Sequence, residues 1–258
     1  MRSLLLGALL LFGASVRAEP VDVELLLLAD VSRSMSLEEL EIQRDGYAEA
    51  LRDPRVAKAV ASGATGRIAL AYAEWAGAQN MIADWTPIEN AADPDAFAAR
   101  LTVRFDPSFR RTSISSAIEY GVQSIAKNRF QGKRRVLDIS GDGPNNLGRN
   151  VEQARDDALA AGYVINGLPL MTNRIGSSFS IDDLDEYYRR CVIGGPASFV
   201  IPVRRWEDFP EAVRRKLVLE LASRPVPVTK AEFHVREDYD CLVGEKIWMR
   251  FRRIYRGP

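Results

Sequence analysis

The sequence predicts an α/β protein built on a doubly wound, mostly parallel sheet flanked by helices, with a short C-terminal β appendage. Three observations carry this expectation. Apolar runs of strand length alternate with amphipathic stretches of helix length from Val21 to Ala222, the order that lays crossover helices over a parallel sheet. The first run contains Leu25-Leu26-Leu27-Leu28 without polar alternation, as in a strand covered on both faces. After Arg224-Pro225-Val226-Pro227 the pattern changes to short alternating segments.

The elements follow in order. Val21 to Ala29 is a strand ending at Asp30. Ser36-Leu37-Glu38-Glu39 has the Ser-x-x-Glu form of a capping box, and Leu37, Leu40, Ile42, Tyr47 and Leu51 give a helical apolar stripe to about Asp53-Pro54. Arg67 to Trp75 reads as a strand and Met81 to Trp85 as a short edge strand. Asp93-Pro94 opens a helix through Leu101, with proline in its first turn. A further helix runs from Ser113 to Asn128, a strand from Arg135 to Ile139, a helix from Val151 to Ala161 closed by Gly162, and a strand from Tyr163 to Leu170. A helix over Ile181 to Arg190, a strand over Ser198 to Val203 and a helix over Trp206 to Ala222 close the series. The last stretch, Glu232 to Arg256, reads as two short strands on the strength of segments such as Ile247-Trp248-Met249-Arg250-Phe251.

The chain has 258 residues, 47% hydrophobic and 27% charged, the balance of a soluble globular protein. Its first residues read as an address: Arg2, an apolar run from Leu4 to Ala14, and small residues at Val16 and Ala18 form a secretory signal with cleavage expected after Ala18. The run is shorter than the roughly 20 residues that span a bilayer. The expected organisation is a signal peptide over 1–18, a domain over 19–223 and an appendage over 224–258, periplasmic or secreted, with no transmembrane segment once the signal is removed. Lys+Arg and Asp+Glu both number 35, so no net basic field draws the protein to nucleic acid, which is not expected as a partner. A single histidine, His234, and two cysteines exclude multi-histidine and four-cysteine metal sites.

The chemistry concentrates where strands run out. Asp30-Val31-Ser32-Arg33-Ser34 follows the first strand, and a tight loop there aims Asp30, Ser32 and Ser34 at one point. Carboxylate and hydroxyl oxygens without thiolate or imidazole suit Mg²⁺, Mn²⁺ or Ca²⁺. On its own this pattern also fits a strand-end turn followed by a helix cap. Asp142, in Ser140-Gly141-Asp142-Gly143, lies past the end of another predicted parallel strand, and Thr112 precedes a predicted helix. Ligands of such sheets bind at the carboxyl ends of the strands.

With these residues the sequence resembles the von Willebrand factor A-type domain, the Rossmann-like fold also found in the inserted domain of integrins. The resemblance covers Val21 to Ala222. It implies a metal-ion-dependent adhesion site at Asp30, Ser32, Ser34, Thr112 and Asp142, whose ion keeps a coordination position open for a carboxylate offered by a protein partner. The chain is also similar to a bacterial group of exported A-type proteins through Ser140-Gly141-Asp142-Gly143-Pro144-Asn145-Asn146 and Cys191-Val192-Ile193-Gly194-Gly195-Pro196, which adds to the fold and implies no mechanism. Arg110-Arg111 stands where the family commonly has glycines. Two guanidinium groups there either favour an acidic partner or pair with Asp106 and solvent.

Other residues have two readings each. Asp138 lies inside an apolar strand and either orients Thr112 or a serine, or is paired internally. Asn145 and Asn146 shape the loop after Asp142 or touch a ligand. Lys246, Arg250, Arg252, Arg253 and Arg256 form a basic tail, read as a solvated strand face rather than a contact with an anionic surface. An exported chain with only Cys191 and Cys241 is expected to join them in a disulfide, stapling the tail to the domain. The leading functional expectation is a metal-dependent binding module and not an enzyme. The alternatives are a metal-dependent hydrolase or phosphatase, and an assembly factor for another envelope protein. Against the hydrolase, Ser32 replaces the second acid of an Asp-x-Asp nucleophile motif, and no phosphate-binding loop is present.

Overall fold

The computed structural model describes residues 18–90, 92–102, 111–172, 180–222 and 239–256. Strand β1 (Glu19–Asp30) is followed by helices α1 (Leu37–Arg52) and α2 (Pro54–Ala61), strands β2 (Ile68–Trp75) and β3 (Gln79–Ile88), and α3 (Asp93–Ala98) with a 3₁₀ turn to Thr102. Then come α4 (Ile114–Lys127), β4 (Phe130–Gly141), α5 (Val151–Ala160), β5 (Val164–Pro169), α6 (Leu184–Tyr187), α7 (Phe209–Leu221) and α8 (Val243–Arg256). The five strands form one sheet in the order β3-β2-β1-β4-β5. β1 lies at its centre, parallel to β2 and β4, and only the edge strand β3 runs antiparallel.

The leucine run of β1 explains the two-layered core. Leu25 and Leu27 face one layer with Tyr47, Leu51, Phe209 and Leu217, while Leu26 and Leu28 face the other with Ile114, Ile118, Val151 and Tyr188. Each of the four leucines is fully buried, which contributes on the order of 2 kcal/mol apiece relative to exposure. The fold is therefore the doubly wound α/β architecture that the sequence predicts. The capping box opens α1 as expected, with Ser36 Oγ accepting from Glu39 N and Glu39 Oε2 accepting from Ser36 N.

Three expectations need correction. The C-terminal stretch is a helix, α8, and not a β appendage. Val243, Ile247, Trp248 and Phe251 recur at helical spacing, and the adjacent apolar pair Trp248-Met249 breaks the alternation a strand needs. Residues 198–203 make two isolated parallel bridges, Val200 with Gly167 of β5 and Val203 with Leu170 just past its end. Gly167 N donates to Phe199 O and Ile201 N to Gly167 O. The next rung needs an N–H from Pro169, which has none, so the ladder breaks there. The helix expected over Ile181 to Arg190 shrinks to α6 and a π-helical turn, Tyr188–Val192. The signal segment up to residue 17, Arg110, Asp106, His234 and residues 224–238 of the appendage lie outside the described residues. No helix among the described residues is long and apolar enough to cross a membrane.

Candidate metal centre

Parallel pairing of β1 and β4, with Ala29 opposite Ser140, brings the residues that follow them to one edge. Asp30 is fully buried, and its Oδ1 accepts from Ser32 N at 2.7 Å, closing the turn after β1. The Ser32 and Ser34 hydroxyls lie 2.9 Å apart, and Ser34 Oγ donates to Asp142 Oδ1 at 2.8 Å. Four of the five predicted donors thus form one continuous cluster. Gln43 Nε2 holds Asp30 from behind by donating to its carbonyl at 2.9 Å, and Gln43 Oε1 accepts from Ser140 Oγ. The sequence reading missed Gln43, although its place on the stripe of Leu40, Tyr47 and Leu51 marks a polar group facing the core.

Thr112 reaches the same edge by backbone pairing with the loop after Asp142. Thr112 N donates to Asn146 Oδ1 at 3.1 Å, and Asn146 N donates to Thr112 O at 2.9 Å. Ser113 caps α4, and Asn145 Oδ1 accepts from Ser115 N in its first turn. Asn145 N also donates to Tyr187 OH at 3.1 Å, and its side-chain Nδ2 donates to Glu245 Oε1 at 2.7 Å. The two asparagines therefore shape the loop, and their side-chain oxygens are spent on backbone.

Two carboxylates, Asp30 and Asp142, meet in this buried place. Burial and then the Asp142 charge push the Asp30 carboxyl well above its usual value. Asp30 Oδ2, Tyr188 OH and Trp75 Nε1 are buried without a hydrogen-bond partner. Gly141 separates these three groups. A Cβ there would lie 2.8 Å from Tyr188 OH, 2.9 Å from Asp30 Oδ2 and 3.1 Å from the Trp75 ring. Two buried carboxylates with an orphaned oxygen fit a cation. No cluster of three His, Cys, Asp or Glu side chains is assembled among the described residues, so the donors are hydroxyls with two acids, a hard oxygen set. Tyr188 and Trp75 give no local sequence signal for this place, since a large aromatic side chain in a strand or helix reads as packing.

Asp138 lies away from this cluster. Alternation along β4 turns it toward α7, where Lys216 Nζ lies 2.6 Å from its Oδ1 and 2.5 Å from Glu220 Oε1. Of its two readings, the geometry is that of an internally paired carboxylate. Burial, then Glu220, raise its pKa to about 7 against the pull of Lys216. Arg111 takes a left-handed backbone, φ 73°. Its guanidinium stacks on Trp248 at 3.8 Å, and its Nη2 donates to Asn146 O at 2.9 Å. Cys191 and Cys241 form a disulfide, Cα–Cα 5.6 Å, which ties the start of α8 to the turn after α6.

Residues 20–225 match the family described as "Protein of unknown function (DUF1194)". No curated protein matches the sequence. Among solved structures, the chain is similar to proximal thread matrix protein 1 from the mussel byssus, with TM-score 0.58 and 12% identity over 80% of this chain and 49% of that one. A second structure of that mussel protein, with a zinc-occupied MIDAS motif, gives TM-score 0.54 at 12% identity over 79% and 48% of the two chains. The von Willebrand factor type A protein from Catenulispora acidiphila gives 0.55 at 9% over 78% and 43%. The pilus adhesin SpaC from Lactobacillus rhamnosus GG gives 0.56 at 11% over 79% and 31%. The chain thus spans about half the length of the mussel protein, and it shares the von Willebrand factor A-type fold.

Proposed function

The chain belongs to the DUF1194 family, and we propose that it is an exported binding module that captures a carboxylate of a protein partner through a divalent cation. Asp30, Ser32, Ser34, Thr112 and Asp142 are the residues that would hold the ion. The observation that carries this reading is the orphaned, buried Asp30 Oδ2 beside Asp142, a charge arrangement that a bound cation balances. The zinc-occupied MIDAS motif of the mussel byssus protein and the adhesin SpaC support a cation-dependent binding role for this fold. The hydroxyl and carboxylate donors favour Mg²⁺, Mn²⁺ or Ca²⁺ for this chain.

When bound, the ion supplies a Lewis-acidic position open to an outside carboxylate. The protein's own residues do the rest. Ser32 and Ser34 would contribute neutral oxygens, which would leave positive charge for a ligand. Ser32 N and Gln43 fix Asp30 in place, and Asn146 fixes Thr112. The disulfide and the apolar run before Ala18 support export. The test is titration calorimetry of the mature protein with Mg²⁺ or Mn²⁺, alongside Asp142→Ala, followed by capture from envelope extract with and without EDTA. One ion per chain, lost in the variant, and partner capture abolished by EDTA and by Thr112→Ala are expected. Unchanged metal affinity in Asp142→Ala overturns the assignment.

A further inference from the structure

Helix α8 is built against the loops of the metal centre. Gly244 meets Asn145 so closely that a Cβ would lie 2.1 Å from Asn145 O, and Glu245 Oε1 accepts from Asn145 at 2.7 Å. Trp248, stacked on Phe251, carries the Arg111 guanidinium on its face. Arg111 immediately precedes Thr112, so this helix walls the side of the site on which the Thr112 loop lies.

Part of the basic charge around that wall has no acidic partner among the described residues. Arg252, one turn beyond Trp248 and so on the same side of α8 as the ring that Arg111 covers, is exposed. Arg33 is exposed between Ser32 and Ser34. Among the described residues Arg33, Arg111 and Arg252 make no ion pair. By contrast Arg149, Arg155 and Arg189 each hold a carboxylate. Like charges brought together without a counterion are costly, and guanidinium groups match carboxylates in a two-pronged geometry.

We propose that α8 forms a second wall of the ligand site and that the partner is an acidic polypeptide segment carrying at least two carboxylates. One completes the cation position and another is taken by the Arg111–Arg252 pair. This rests on the cation reading above and adds the chemistry of the partner to it. Arg111, held by Trp248 and Asn146, is the fixed element of the pair, and Arg252 is the exposed one.

Fluorescence anisotropy on the mature protein in Mg²⁺ tests it with two labelled probes, hexaglutamate and a glycine hexapeptide carrying one glutamate. The quantity read is the ratio of their affinities, so the larger number of carboxylates on hexaglutamate cancels between variants. Arg252→Glu is expected to lower that ratio by roughly five- to tenfold while leaving Mg²⁺ affinity unchanged. Arg250→Glu makes the same charge change, but two residues along a helix point to nearly opposite sides, so it is expected to leave the ratio within about twofold. A ratio untouched by Arg252→Glu, or lowered equally by Arg250→Glu, overturns the proposal while leaving EDTA-sensitive binding of both probes intact. Absence of any EDTA-sensitive binding overturns the cation reading itself, and this proposal with it. Circular dichroism and non-reducing mapping of Cys191–Cys241 confirm that each variant folds.

Discussion

Ser34 donates its hydroxyl to Asp142 Oδ1 at 2.8 Å across a sequence separation of 108. That bond joins the turn after β1 to the turn after β4, and it exists because the two strands are parallel neighbours. The same proximity sets the Asp30 and Asp142 charges against each other in a buried place. A cation bound between them would relieve that repulsion.

The first prediction concerns that repulsion. In EDTA at pH 8, Asp30→Asn is expected to be at least as stable toward urea as the wild type, because it removes one of two opposed charges while keeping an oxygen for Ser32 N. In Mg²⁺ at a hundredfold excess over Kd, the wild type should gain about 2.7 kcal/mol and the variant far less. Equal gains in both proteins would argue against Asp30 as a ligand.

Gly141→Ala places a methyl group 2.8 Å from Tyr188 OH and 2.9 Å from Asp30 Oδ2. Both neighbours are buried and held by packing, so the expected loss is roughly 1–3 kcal/mol of stability, with weakened Mg²⁺ binding because Asp30 must move. Urea denaturation and calorimetry on the same preparation read both effects.

The Asp138 carboxyl gives a pH dependence whose sign is fixed. Its folded-state pKa is raised from 3.8 to about 7, first by burial and then by Glu220. The folded protein thus holds a proton that the unfolded chain releases. The group's contribution is full below the unfolded pKa and is lost as pH rises through 7. The wild type should lose stability between pH 5 and pH 8 relative to Asp138→Asn, whose profile should be flatter. Parallel profiles would show that the Lys216 ammonium keeps Asp138 ionised throughout.

Removing the disulfide should free the start of α8. Cys191 and Cys241 lie 50 residues apart, and opening that loop costs on the order of 4 kcal/mol in the chain-entropy model. A Cys191→Ser, Cys241→Ser double variant should also lose the stacking of Arg111 on Trp248, moving tryptophan emission to the red. An unshifted spectrum would mean that Gly244, Glu245 and Trp248 hold the helix without the bridge.

Much of this was legible without coordinates because it is written in local patterns. The unbroken leucines of β1 announce burial on both faces, Ser36 and Glu39 announce a helix start, and the residues at strand ends announce an edge rich in oxygen donors. The C-terminal helix was misread for a physical reason. Over five residues, Ile247 to Phe251, strand and helix periods are hard to separate, and the helical stripe emerges only when Val243 and Phe251 are counted together. The short bridging segment near Val200 reads as a full strand because the break lies in its neighbour, at Pro169, and not in its own sequence.

The sequence by itself determined the α/β class, the alternation of strands and helices, the oxygen-bearing residues Asp30, Ser32, Ser34, Thr112 and Asp142 proposed as ligands, and the two cysteines available for a bridge. Only the tertiary structure decided which partners these residues have. It turned Asp138 toward Lys216, spent Asn145 and Asn146 on the α4 loop, put Tyr188 and Trp75 around Gly141, and laid Trp248 under Arg111. The reason is the range of the forces. Helix caps, strand patterns and turn chemistry act over a few residues and leave a trace there. Buried charge pairing and close packing act between groups far apart in the chain, and their outcome depends on which faces the sheet brings together.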